Sequence, residues 1–112
     1  VIGEVEDRLC ILADDMIDTG GTICSAAELL YARGAKEVWA MATHGVLSGP
    51  AVERLNKSRI SRVVLTNTLP LAPEKRIAKF EILSVAKILA DALSAVFEDT
   101  SVSDLFGGEN QS

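Results

Sequence analysis

Residues 11–24 read ILADDMIDTGGTIC. An apolar run meets two adjacent carboxylates, Asp14 and Asp15. A third, Asp18, follows, and then Thr19, Gly20, Gly21 and Thr22 lead into helix-forming sequence. Paired glycines let the backbone turn tightly and let its amides approach a ligand with no side chain between. A helix beginning there points its free N–H groups and the positive end of its dipole at the same place. Thr19 and Thr22 add hydroxyl donors. Together these groups suit a phosphate monoester. Such a cradle has no use for Asp14 and Asp15 beside the phosphate, so the pair is expected to face either sugar hydroxyls or a divalent cation. A vicinal diol donates hydrogen bonds to carboxylates, and Mg²⁺ takes oxygen ligands while keeping several waters. A pentose 5-phosphate, with phosphate at one end and a diol at the other, has the matching shape. Asp18, between the two halves, is placed to polarise a group near the anomeric carbon or to orient a loop amide.

The elements that must position this loop follow from hydrophobic periodicity. Val1–Val5 and Arg8–Ala13 read as two strands joined at Glu6-Asp7, a hairpin by pattern. Leu9–Ala13 is continuously apolar, as in a strand buried on both faces of a parallel sheet. Ile23, Ala26, Ala27, Leu30 and Tyr31 have helical spacing within Thr22–Arg33, and Gly34 stops that helix. Glu37–Thr43 is the next strand. Ser48 is placed to cap a helix with Pro50 in its first turn and Ala51, Val52 and Leu55 on its buried side. Arg62–Thr66 and Phe80–Leu83 are two further strands, separated by a proline-bearing loop whose Lys75, Arg76 and Lys79 read as solvated. Ser84–Phe97 is a helix with Val85, Ile88, Leu89, Ala92, Leu93 and Val96 on one stripe. Residues 98–112 form a polar C-terminal tail. Alternation of this kind predicts an α/β domain, a mostly parallel sheet with flanking helices. Ligands bind beyond the carboxyl ends of the strands in such sheets, where the quoted loop falls. His44 falls at the same edge and reads first as a hydrogen-bonded structural histidine, with a lining role as the alternative. Trp39 and Phe80 read as core or interface packing.

Bulk properties narrow the partners. With 112 residues and a net charge of −5, the chain suits one domain and concentrates no Lys or Arg on one face, which argues against nucleic acid or a membrane surface as the main partner. No apolar run is long enough to span a bilayer. Cys10 and Cys24 read as reduced core thiols, and the expected compartment is the cytoplasm. The chain starts at Val1 inside strand-like sequence, which suggests a piece of a longer protein. Phosphoacceptor receiver domains also carry an acidic pair at a strand end. They need an Asp at the end of a later strand, and here that strand ends in Thr43-His44.

DDMIDTGGT resembles the ribose-phosphate loop of the type I phosphoribosyltransferase fold. VIGEVEDRLCILADDMIDTGGTI, GAKEVWAMATHGVLSGPA, VVLTNTLP, ILSVAKILADAL and SVSDLF resemble, in that order, the C-terminal part of the ribose-phosphate pyrophosphokinase family, the synthetases of phosphoribosyl pyrophosphate. The resemblance covers almost the whole chain, while the family's chains are nearly three times longer. It implies that residues 1–112 are a C-terminal, ribose 5-phosphate-binding domain with a phosphoribosyltransferase type I-like fold. It implies transfer of diphosphate from Mg-ATP to the 1-hydroxyl of ribose 5-phosphate, releasing AMP. Asp18, Thr19, Gly20, Gly21 and Thr22 would hold the 5-phosphate, and Asp14 and Asp15 the ribose hydroxyls, with Mg²⁺ as cofactor. ATP would bind through an N-terminal part outside this chain, so the 112 residues alone are expected to be inactive. In the family the SVSDLF segment resembles part of a regulatory anion site for phosphate or ADP, which would involve Ser101, Ser103 and Phe106, built between subunits of a homo-hexamer. The alternatives are a phosphoribosyltransferase and a non-catalytic regulatory homologue of the synthetase.

Overall fold

A computed structural model describes residues 3–98. Four strands, β1 (Leu9–Ile17), β2 (Glu37–Gly45), β3 (Arg62–Thr66) and β4 (Phe80–Leu83), form one sheet in the order β1-β2-β3-β4. Every neighbouring pair is parallel. Three helices, α1 (Gly21–Ala32), α2 (Ala51–Lys57) and α3 (Ala86–Phe97), connect or follow the strands. The α/β class expected from the alternation is therefore present. Because each crossover steps to the adjacent strand in the same direction, and such crossovers are right-handed, the connecting helices fall on one face of the sheet.

That face holds the core. Val38, Ala40 and Ala42 of β2 and Val63 and Leu65 of β3 are buried with Ile23, Ala27 and Leu30 of α1 and Ala51 and Leu55 of α2. The opposite face is open. Leu9, Ile11, Met41 and Leu83 are 44–52% exposed, which corrects the expectation that Leu9–Ala13 is covered on both sides. Side chains alternate along a strand, so the apolar run supplies one covered and one uncovered row. On the open face Arg62 lies over the Trp39 ring at 4.8 Å and pairs with Glu81 at 2.8 Å.

Several local expectations change. The hairpin is absent among the described residues. Gly3–Arg8 contains a turn rather than a strand, with Asp7 at φ 58°, its N–H donating to the Gly34 carbonyl at 2.8 Å. β1 runs past Ala13 to Ile17 and β2 past Thr43 to Gly45, because the two strands pair in register as far as Ile17 opposite Gly45. Ser48 does not cap α2 with its side chain; its N–H instead donates to the Asp18 carbonyl. Ser84 does act at the start of α3, its hydroxyl accepting from the Ala86 N–H. Lys75 and Lys79 are not merely solvated. Lys75 donates to the Leu47 carbonyl, and Lys79 donates to Leu55 and Ser58 carbonyls at 2.8 Å each. The Lys79 contacts add to the Ser58 N–H and hydroxyl that already reach the Leu55 carbonyl at the C-terminus of α2, and burial pushes the Lys79 pKa down. Along α3, Ile88, Leu89, Leu93 and Val96 are exposed, and only Ala95 is buried.

The carboxyl edge of the sheet is tightly built. A Cβ added to Gly45 would sit 2.8 Å from Leu65 Cδ1, and Leu65 is itself buried, so its side chain would have to shift. Gly45→Ala is expected to destabilise the domain by about 1–3 kcal/mol, the usual cost of overpacking. Urea unfolding measures it; an unchanged midpoint would mean that the β2–β3 edge is looser than this packing.

Candidate functional site

β1 carries its chain toward the loop through Asp14, Asp15 and Met16, and the strand ends at Ile17. The acidic pair therefore lies within the strand rather than beyond it. Asp14 follows Cys10 and Leu12, which pack against the helix-side core, and Asp15 follows Leu9, Ile11 and Ala13 of the open side. Alternation starts the two side chains from opposite faces, yet near this end of the strand the Asp15 side chain still reaches the Asp14 carboxyl. Asp14 Oδ1 accepts from the Asp15 N–H at 2.7 Å. Asp15, through its side chain and then this N–H, holds the Asp14 carboxyl below the usual carboxylate range, so Asp14 is ionised at neutral pH.

Past Ile17, successive carbonyls are held on one side. The Ile17 oxygen accepts from Val46 and Leu47 N–H at 3.0 and 3.1 Å, and the Asp18 oxygen from Ser48 N–H at 2.9 Å. The Thr19 oxygen accepts from Arg54 Nη1 at 3.2 Å. Gly20 is buried and takes φ 82°, the left-handed region that glycine adopts without strain. Its carbonyl receives the first helical bond, from Cys24 N–H. The N–H groups of Gly21, Thr22 and Ile23 are thus the unpaired first turn of α1, with no side-chain cap and no acidic residue there.

These residues enclose a shallow depression of about 170 Å³ lined by Asp14, Met16, Ile17, Asp18, Thr19, Gly20, Thr22 and Ile23. Five of the seven residues singled out in the loop and acidic pair meet there. Asp15 and Gly21 do not line it. Asp14 also borders a second depression of about 270 Å³ that runs across β1–β4 and takes in Met41 and Leu83 of the open face. His44 stands opposite Met16 in the sheet, its Nδ1 2.8 Å from the Thr68 hydroxyl, as a structural histidine would be. Arg54 escaped the sequence reasoning, because nothing in the local sequence shows that α2 packs beside the loop. Cys10 and Cys24 are free thiols, and burial pushes the Cys24 pKa up, which keeps it a thiol. Ser101, Ser103 and Phe106 lie outside the described residues, as does the tail beyond Glu98.

Among the described residues no three His, Cys, Asp or Glu side chains converge as a metal cage, and no helix is long and apolar enough to cross a membrane. The ionised, exposed Asp14 carboxylate fits a Mg²⁺ that keeps most of its waters and completes its shell from a ligand. It does not fit a metal held by protein alone.

Fold and loop define the class: an α/β domain with a parallel sheet and a glycine-bearing strand-to-helix turn at the carboxyl end of its first described strand. The chain belongs to the phosphoribosyl synthetase-associated domain family, whose pattern matches residues 1–107. It is 57% identical over 106 residues to the ribose-phosphate pyrophosphokinase of Streptomyces coelicolor, covering 95% of this chain and 33% of that protein. It is 53% identical over 109 residues to the ribose-phosphate pyrophosphokinase of Mycobacterium leprae, covering 97% and 33%. The crystal structure of phosphoribosylpyrophosphate synthetase from Mycobacterium smegmatis superposes with a TM-score of 0.83 at 51% identity, over 88% of this chain and 33% of that one. The chain thus spans about a third of the length of the curated relatives it matches.

Proposed function

We propose that this chain is the ribose 5-phosphate-binding portion of a ribose-phosphate pyrophosphokinase, corresponding to the C-terminal part of such an enzyme and folded as a type I phosphoribosyltransferase-like domain. The whole enzyme would transfer diphosphate from Mg-ATP to the 1-hydroxyl of ribose 5-phosphate in the cytoplasm. The observation that carries this reading is the meeting, in one depression, of Thr22 and Ile23 from the unpaired first turn of α1 with Thr19 and Asp14. The amides and hydroxyls take the dianionic phosphate, and the helix dipole adds to them. Asp14 accepts from ribose hydroxyls. Mg²⁺, when bound, would neutralise developing charge on the transferred group; Asp14 is the residue placed to hold one of its waters.

The placement of the acidic pair separates its two members. Asp14→Asn is expected to weaken ribose 5-phosphate binding by about tenfold or more, because a charged hydrogen bond is worth roughly 1.5–3 kcal/mol. Asp15→Asn, at a residue that does not line the depression, is expected to change affinity by less than about threefold. Calorimetric titration of both variants with ribose 5-phosphate tests the assignment. Equal, wild-type affinity in both would remove the acidic pair from the site, and a larger effect at Asp15 would overturn the assignment of the sugar to Asp14.

A further inference from the structure

We infer that Arg54 is a positioning residue for the phosphate loop: it fixes the Thr19–Gly20 peptide in its anion-receptive orientation and sets a positive charge behind it. This role rests on the ribose 5-phosphate reading above and adds a residue from a different helix to that site. In a trans peptide the carbonyl oxygen and the following N–H point in opposite directions. By holding the Thr19 oxygen at 3.2 Å, Arg54 turns the Gly20 N–H away from α2. The two preceding carbonyls are held by backbone N–H groups of residues 46–48; Thr19 is the one in the series held by a side chain. Released, the Thr19 carbonyl can rotate, and its negative end then competes with an incoming phosphate. Arg54 makes no ion pair among the described residues, so its charge is not cancelled by a neighbouring carboxylate. The lining of the depression itself contains Asp14 and Asp18 and no cation, so a guanidinium on the Thr19 carbonyl adds positive charge beside a site where a dianion must bind. Gly21 is matched to it. A Cβ there would lie 3.1 Å from Arg54 Nη1, although Gly21 is helical and tolerates alanine in backbone conformation.

The test is a double-mutant cycle on ribose 5-phosphate affinity, with inorganic phosphate as a second probe. Arg54→Gln is expected to lose about tenfold in affinity for both. Arg54→Lys, which keeps the charge without the planar fork, is expected to lose about threefold. Gly21→Ala displaces the guanidinium by a few tenths of an ångström and is expected to lose about threefold in the wild-type background and nothing further beside Arg54→Gln, because both changes break one contact. A purely structural role for Arg54 gives losses that add and no recovery by lysine, and either result overturns the inference. Equal affinity of Arg54→Gln and wild type also overturns it while leaving the phosphate site intact. Wild-type protein that binds neither probe overturns the phosphate site, and this role with it. Should Arg54→Gln fail to fold, the Arg54→Lys and Gly21→Ala pair, singly and combined, carries the same comparison.

Discussion

Gly20→Val is expected to weaken ribose 5-phosphate binding by about ten- to a hundredfold, while the remaining domain stays folded. The reason is conformational rather than steric. A Cβ at Gly20 would meet only Ala51, at 3.6–3.8 Å, which is ordinary contact. The obstacle is φ 82°, a region that a β-branched residue enters only as an outlier. Holding valine there costs about 1–3 kcal/mol. The loop has a cheaper alternative, which is to rotate the peptides on either side of residue 20. That rotation misdirects the turn into α1 and scatters the N–H groups that converge on the depression. Gly20→Ala, which enters the left-handed region more readily than valine, is expected to lose less. Calorimetry on both variants, with thermal unfolding as the control for folding, measures the effect. Wild-type affinity in Gly20→Val would show that the phosphate does not depend on this turn.

The 112-residue chain is expected to bind ribose 5-phosphate weakly and to release no AMP from ATP in its presence. Binding needs β1, the loop, the start of α1 and Arg54 of α2, all of which lie within the described residues. Diphosphoryl transfer needs cations arranged around the moving group, and contributions of that kind vanish together rather than in fractions. No cation lines the depression, Arg54 stands behind the loop with its bond to Thr19, and the described residues contain no metal cage. An AMP-release assay with Mg-ATP measures the outcome. Release that depends on ribose 5-phosphate and falls in Gly20→Val would show that the described residues suffice for the chemistry.

Much of this was legible in the sequence because it was encoded locally. The Ile23–Tyr31 periodicity and Gly34 specify α1 within a residue at each end, and β3 and β4 fall where their apolar runs predict. The glycine pair marked the turn because the required φ at Gly20 is available to few other residues. What was not legible depends on contacts between distant segments. Val1–Val5 has strand composition, but composition cannot say whether a partner strand exists, and Gly3–Arg8 is instead latched to the loop after α1. Ser48 has the chemistry of a cap, yet its N–H is drawn to Asp18 across the β1–β2 edge. Lys79 reads as a surface charge until the fold brings it to the end of α2. The acidic pair reads as one unit in sequence, and which of its members borders the depression, Asp14, depends on how the loop folds beside it.

An amide chemical-shift titration of the labelled chain with ribose 5-phosphate tests the central claim most directly. Binding at the loop predicts the largest saturable shifts at Gly20, Gly21 and Thr22, with smaller ones at Asp14 and Thr19 and the same pattern, without the Asp14 change, for inorganic phosphate. A folded chain with no shifts at these residues, or with shifts confined to β4 and α3, would contradict it.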